Sequence, residues 1–167
     1  NAELEAFHTY FDIKTVGVSF GYDMDNGWAI RGRTAYDYRD FNARYFYTSS
    51  TFDKSVETTR TWWNQVQLEK LGKNSRTQVN VGYKYNSDVF VFSPDFSSTN
   101  RHKTQLLNSQ INHLQQVTEG LSIAFGVQAD QRKIESNDRG NHQDWHAGAY
   151  VMGVFNPIEA LHMTGSI

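Results

Sequence analysis

The sequence predicts an all-β chain: an antiparallel up-and-down meander of about eight strands forming part of a transmembrane β-barrel. Three observations carry that prediction. Segments in which apolar and polar residues alternate succeed one another along the 167 residues. The joints between them alternate too, with brief Gly-, Asn- or Pro-marked joints at 23–27, 72–75, 119–120 and 156–159 and longer polar stretches at 41–55, 87–103 and 133–143. Helical periodicity appears nowhere over a useful length, and no run of about 18 apolar residues offers a transmembrane helix.

The first strand is carried by Val16, Val18, Phe20 and Tyr22, which alternate with Thr15, Gly17, Ser19 and Gly21. The turn after it, Asp23-Met24-Asp25-Asn26-Gly27, is like the start of a calcium loop but lacks the regular Asp spacing and distant Glu that such a loop requires. Asn26-Gly27 is a hairpin turn by composition. Weaker alternation over 28–38 and 56–68 gives the second and third strands. The fourth sets Val79, Val81, Tyr83 and Tyr85 against Gln78, Asn80, Gly82 and Lys84. A fifth spans 106–117, and the sixth alternates Leu121, Ile123, Phe125 and Val127 with Ser122, Ala124, Gly126 and Gln128. Residues 145–155 supply the seventh, and an eighth begins near Leu161.

Alternation alone does not say whether the apolar face meets lipid or a buried core. The polar face argues for lipid, because mid-strand positions carry Gly17, Ser19, Gln78, Asn80, Gly82, Ser122, Gly126, Gln128, His146 and Gly148. Small and amide side chains suit a crowded lumen better than an open, charged surface. Aromatic spacing agrees: Trp28 follows the first turn, and Tyr36 and Tyr38 share its face eight and ten residues later. At about 3.4 Å per residue and a tilt near 40°, that separation projects to roughly 20–26 Å, the height of a lipid-facing band between aromatic girdles.

Composition excludes several other classes. Phe, Trp and Tyr make up 14% of the chain, charged residues only 20%, and the net charge is -2. Nucleic acid is not an expected partner, since phosphate binding needs a clustered positive field. With no cysteine, disulfides, thiol nucleophiles and Cys-based zinc sites are absent together. No linker or low-complexity run divides residues 1–167, which are expected to form one barrel segment without a signal peptide or plug domain.

Several motifs resemble a known family. They are Asp40-Phe41-Asn42-Ala43-Arg44-Tyr45-Phe46-Tyr47, Glu57-Thr58-Thr59-Arg60-Thr61, Arg101-His102-Lys103-Thr104, Ile134-Glu135-Ser136, Gly140-Asn141-His142 and Phe155-Asn156-Pro157. Together they resemble the barrel of TonB-dependent outer-membrane receptors, most of all the vitamin B12 receptors of Bacteroidetes-like bacteria. The resemblance implies a protein of the bacterial outer membrane that imports a scarce nutrient such as cobalamin or a siderophore. Its implied partners are outer-membrane lipid, the nutrient, and TonB and a plug domain acting through parts of the chain not present here. Such receptors have about 22 strands, so the chain is expected to be an internal fragment of one. Its two edges would then need partners in hydrocarbon.

Candidate chemistry is sparse. His142 and His146 stand about 13 Å apart in a strand and cannot share a metal. No Gly-x-Ser-x-Gly elbow supports a hydrolase, so neither an enzyme nor a cofactor is expected. Arg31, Arg33 and Arg39 share a face with Asp37 and form either a charged lumen wall or a set of structural ion pairs. Loops on a rigid barrel supply ligand contacts, which nominates Phe46 and Tyr47 in the first long stretch, Phe92 and Phe96 in the second, and Arg101 at its base. The competing reading is a soluble lipocalin-like barrel, with Val16, Val81, Ile123 and Phe125 turned inward around a small hydrophobic ligand.

Overall fold

The computed structural model describes residues 10–93, 99–158 and 161–167. Eight strands follow one another: β1 (Phe11–Asp23), β2 (Trp28–Asn42), β3 (Val56–Leu71), β4 (Ser75–Val91), β5 (Thr99–Thr118), β6 (Leu121–Ser136), β7 (His142–Ile158) and β8 (Leu161–Ser166). Each pairs antiparallel with the next, so that spatial order equals sequence order. Among the described residues β1 and β8 do not pair, and the sheet has two open edges.

Asn26-Gly27 does close the first hairpin. Gly27 has φ 79°, and its amide donates to the Met24 carbonyl at 3.1 Å, the left-handed geometry that glycine adopts without steric cost. The long joints need correction. Only 43–55, between β2 and β3, is a loop of the expected size, because β4 runs to Val91 and β5 starts at Thr99, while β6 runs to Ser136 and β7 starts at His142. Polar ends such as Ser87–Asp88 and His102–Lys103 stay in the ladder, since a strand leaving a greasy layer changes its side chains and not its hydrogen bonding. The joint expected at 156–159 also moves: β7 extends to Ile158, and residues 159–160 lie outside the described residues.

Residues opposite one another in register share a face, so one apolar face can be followed across the sheet. Val16 faces Tyr36, Tyr36 faces Trp62 and Trp62 faces Tyr85. Nearer the short turns, Tyr22, Ile30, Leu68, Val79, Ile111, Val127 and Ala149 form a second continuous row. Thr34 and Asn64 interrupt this face in the middle and satisfy each other: Thr34 Oγ1 donates to Asn64 Oδ1 and accepts from Trp62 Nε1, both at 2.9 Å. Gly32 lies under the Phe20 ring, where any Cβ would collide with it.

The apolar band is slanted. Trp28 lies in a row with Lys70, Thr77, His113, Phe125 and, on β7, Val151, yet the apolar face of β7 continues to Phe155. Strands about 4.8 Å apart and tilted near 40° displace a level band by roughly one residue per strand. The drift from Val151 to Phe155 over five strands is of that size.

No core lies under this band. Among the described residues the buried apolar side chains are Ala29, Phe41, Ala43 and Ala124. Val16 is 64% exposed, Val81 42% and Phe125 49%, and Ile123 shares their face through Gln115 and Gly153. The lipocalin-like alternative needs these four inside a closed barrel, and the sheet instead displays them on its outer face. Exposed apolar area of this extent calls for an apolar neighbour to cover it. Val127→Arg is therefore expected to cost about 2–4 kcal/mol in a bilayer, and Gln128→Arg, one residue along on the polar face, under about 1 kcal/mol. Denaturant titration of the intact receptor folded into vesicles measures both, and equal costs would remove the assignment of faces.

Candidate functional site

At the long-loop end of the polar face the register assembles one row from five strands: Phe11, Phe41, Glu57, Phe90 and Asn100. The loop 43–55 folds over this row. Phe46 meets Phe41 at 5.9 Å between ring centres, and Tyr47 meets Phe90 edge-on at 5.3 Å. Phe11 and Phe41 complete an aromatic ledge at 5.2 Å.

Asp53 holds the loop in this position. Fully buried, it accepts the amides of Tyr45 at 2.7 Å and Ser55 at 2.8 Å. Ala43 donates to the Ser55 carbonyl at 2.9 Å, and Lys54 donates to the Phe92 carbonyl at 3.2 Å, tying this loop to the next one. Tyr45 has φ 66°, a left-handed conformation that costs a non-glycine residue on the order of 1 kcal/mol. Its hydrogen bond to Asp53 offsets that strain. Burial opposes the Asp53 charge, but hydrogen bonds from Ser55 and Tyr45 and the nearby Arg44 outweigh it and hold the carboxyl below its ordinary value.

Beneath the ledge is a chamber of about 450 Å³ that opens to the polar side, with Tyr47, Glu57, Asp88, Phe90, His102 and Arg139 in its wall. Asn86, Asn100, Thr104 and Ile134 complete the lining. Tyr47 Oη donates to Glu57 Oε2 at 2.7 Å, and this bond, with burial and the charges of Glu57 and Asp88, pushes the phenol up to about 12. Asp88 Oδ1 is buried without a hydrogen-bond partner among the described residues, leaving one acceptor in the wall open to a ligand donor. The chamber can hold a flat apolar group against the edge-packed Tyr47 and Phe90 pair and accept hydrogen bonds from its margin.

Ser136, His102 and Asp138 also meet here, but in the wrong order for hydrolysis. Ser136 Oγ donates to Asp138 Oδ1 at 2.6 Å, and both it and Asp138 approach the same His102 nitrogen, Nδ1, at 2.8 and 3.5 Å. A nucleophile needs one imidazole nitrogen and the orienting carboxylate the other. Ser136 Oγ additionally accepts the amides of Asp138 and Arg139, at 3.3 and 3.0 Å, as a turn-capping hydroxyl does. The ordinary value of Asp138 is lowered by the Ser136 bond first and by His102 and Arg139 after it, against burial.

Of the residues nominated from sequence, Tyr47 lines the chamber and Phe46 caps its ledge. Phe92 contributes its backbone carbonyl, and Phe96 lies outside the described residues. Arg101 is a correction. Because β5 already begins at Thr99, Arg101 is a strand residue opposite Val89 and faces away from the chamber. Asp88, Phe90 and His102 fall in 87–103, which the sequence reads as a polar joint, although the period-2 pattern of β4 continued past Tyr85 reaches Asp88 and Phe90; Glu57 stands in the sequence as a motif residue with no signal that marks it as part of a site. His142 and His146 share the polar face of β7, and no group of three metal-ligating side chains occurs among the described residues. Lower on this face Arg31 pairs with Asp23 at 2.8 Å and Arg39 with Asp37 at 2.7 Å.

No protein-family model matches the chain, and no curated protein matches it. Solved structures do. The FpvAI–pyocin S2 complex aligns with a TM-score of 0.69 at 13% identity, covering 92% of this chain and 25% of that one. The copper transporter OprC aligns at 0.71 and 12% identity, covering 89% and 28%. The ferric yersiniabactin uptake receptor FyuA from Yersinia pestis aligns at 0.63 and 13% identity, covering 90% and 27%. These are barrels of TonB-dependent outer-membrane receptors, and the chain has the fold of a stretch of such a barrel while spanning about a quarter of their length.

Asp53→Ala is expected to loosen the loop 43–55 by about 1–3 kcal/mol, the cost of two orphaned amides, and to leave the strands intact. Because the folded carboxyl titrates below the unfolded value of about 3.9, its contribution is present at neutral pH and is lost as pH falls through the lowered value. Amide exchange of Tyr45 and Ser55 measures both effects. Unchanged protection in the variant would show that Asp53 does not hold the loop.

Proposed function

We propose that this chain is a stretch of the barrel wall of a TonB-dependent receptor in the bacterial outer membrane, and that the receptor imports a scarce nutrient at the expense of energy delivered through TonB. The observation that carries this reading is the two-faced sheet with an inward-folded loop: apolar rows on one side, and on the other a polar wall whose mouth bears an aromatic chamber. The unpaired edges of β1 and β8 support it, because hydrocarbon leaves no other partner for their N–H and C=O groups than further strands. The polar face, with Arg39–Asp37 and Arg31–Asp23 already paired, is the surface a plug domain would rest against.

The nutrient we assign is cobalamin, or failing that a siderophore-like complex. The motif resemblance supports cobalamin, and the Tyr47 and Phe90 rings beside Asn86 and Asn100 suit a large ring-bearing ligand with polar groups at its margin. In the intact receptor, Tyr47→Ala combined with Phe90→Ala is expected to weaken binding of labelled cyanocobalamin about 30-fold, or ~2 kcal/mol, as loss of a buried aromatic anchor does. Arg101→Gln, on the opposite face, is expected to leave it unchanged. Whole-cell binding and TonB-dependent uptake measure this, with a ferric siderophore run in parallel. Uptake of neither class would overturn the reading, and full affinity in the double variant would move the ligand out of the chamber.

A further inference from the structure

The outer, apolar face ends in cations on its long-loop side, and only in one sector. Arg60 faces Ser87, Ser87 faces Lys103 and Lys103 faces Glu135, one row beyond the Tyr36–Trp62–Tyr85 row. Arg101 lies two residues further out along β5, and Lys133, opposite Gln105, two residues further in along β6. Neighbouring strands lie about 4.8 Å apart, so Arg60 and Lys103, two strands from each other, are roughly 10 Å apart across the sheet. Glu135 is the one acid among these four bases, and Lys133 Nζ holds it at 2.6 Å. The Arg60 guanidinium leans over the Tyr38 ring at 5.8 Å.

The neighbouring sector is different. On β1 and β2 the same height carries Asp12, Lys14 and Asp40, with Lys14 paired to Asp12 at 2.7 Å and Asp40 accepting Thr58 Oγ1 at 2.8 Å. At the opposite, short-turn end the outer face of β3 presents Lys70, stacked on Trp28 at 5.2 Å. Among the described residues, a cluster of cations on this face is thus found on β3–β6 at the long-loop margin, with Lys70 standing alone at the other end. With strands tilted near 40°, Arg60 stands ~5 Å above the Trp62 level, and Lys103 and Lys133 ~10 Å above the last apolar residues of their own strands. That is the depth at which headgroups replace acyl chains, and long basic side chains reach it by extending along the wall.

We propose that Arg60, Arg101, Lys103 and Lys133 form a docking surface for the phosphate groups of a phosphorylated lipid in the leaflet that surrounds the long-loop end. This rests on the outer-membrane reading, since it requires the apolar face to meet acyl chains. Three features select that occupant: continuity of the patch with the apolar band, its restriction to one leaflet's depth, and guanidinium and ammonium groups that complement phosphate. The lipid's acyl chains would lie along Leu107, Ile111 and Val127, which share the outer face directly below.

The test uses the intact receptor extracted in mild detergent, with lipid phosphorus retained after washing counted per protein and the lipid identified by mass spectrometry. Each basic residue at an anionic surface is worth about a fivefold change in binding. Joint replacement of Arg60, Arg101, Lys103 and Lys133 by Gln is expected to reduce retained phosphorylated lipid at least about tenfold, and Lys70→Gln, on the same face at the other end, to leave it unchanged. Inorganic phosphate at high concentration is expected not to displace the lipid; displacement would mean that the patch is a simple anion site. Undiminished retention in the fourfold variant overturns the proposal. Quenching of Trp62 by brominated lipid separates this from failure of the membrane reading: quenching with no loss of lipid sinks the docking surface alone, whereas absence of quenching sinks the orientation beneath it. Heat-modifiable migration on gels shows that the variants are folded.

Discussion

Register between neighbouring strands is the constraint on which the rest of this molecule depends. With no core to pull apolar residues together, the two faces differ only because seven strand pairs are all held in phase. A slip of one residue in any pair would send every side chain of the following strand to the wrong face. The irregularities are placed accordingly. The shifts at Gln116/Thr118 and at Phe155/Ile158 both lie beside short turns, where a bulge ends pairing without scrambling the band. Within the band, polar groups pair locally, as the Trp62 N–H, the Thr34 hydroxyl and the Asn64 carbonyl show, so the phase is kept across the polar interruption.

The same architecture explains why the candidate site lies at the mouth. A single-layer wall cannot enclose anything by itself. Burial appears where the loop 43–55 turns back onto the polar face, and Ala43, Asp53, Ser55 and Ser93 are nearly inaccessible there. Asp53 exchanges loop entropy for a fixed ledge, and the ledge in turn fixes Tyr47 against Phe90 and Glu57. Site geometry therefore follows from one carboxylate in a loop and one row of registered strand residues.

Much of this was legible in the sequence, and the rest failed for a definable reason. Period-2 alternation exposes a strand wherever one face is apolar, which located β1, β4 and β6 and the aromatic spacing of β2. It falls silent where both faces are polar. Residues 87–91 and 99–103 are as regular as the rest of β4 and β5, yet Ser87, Asp88, Arg101, His102 and Lys103 carry no contrast from one residue to the next. Strand there carries the composition of a loop, which is why Arg101 is expected at a loop base and instead lies within β5, and why nothing in the sequence marks Asp88, Phe90 and His102 as neighbours. The inward fold of 43–55 had no sequence signal at all, since Asp53 is one acid among several and only the fold brings it to Tyr45 and Ser55.

The polar face offers a final point about how such a wall could let a ligand pass. Many of its side chains pair with one another: Asn108 with Asp130, Thr61 with Asn86 at 2.6 Å, Gln78 and Arg76 with Glu69 at 2.6 and 2.8 Å, and Tyr150 with Asn112 at 3.0 Å. A wall already paired within itself adds little to the binding of whatever moves along it, because each new hydrogen bond must displace an old one. Asp88 at the chamber is different, with a buried oxygen that no donor among the described residues fills. Under the proposed receptor reading, an unfilled acceptor beside two aromatic rings is a place for a ligand to stop, and the self-paired lattice below it is a surface along which it moves without the wall changing, because the two levels differ in how much hydrogen-bonding capacity is left.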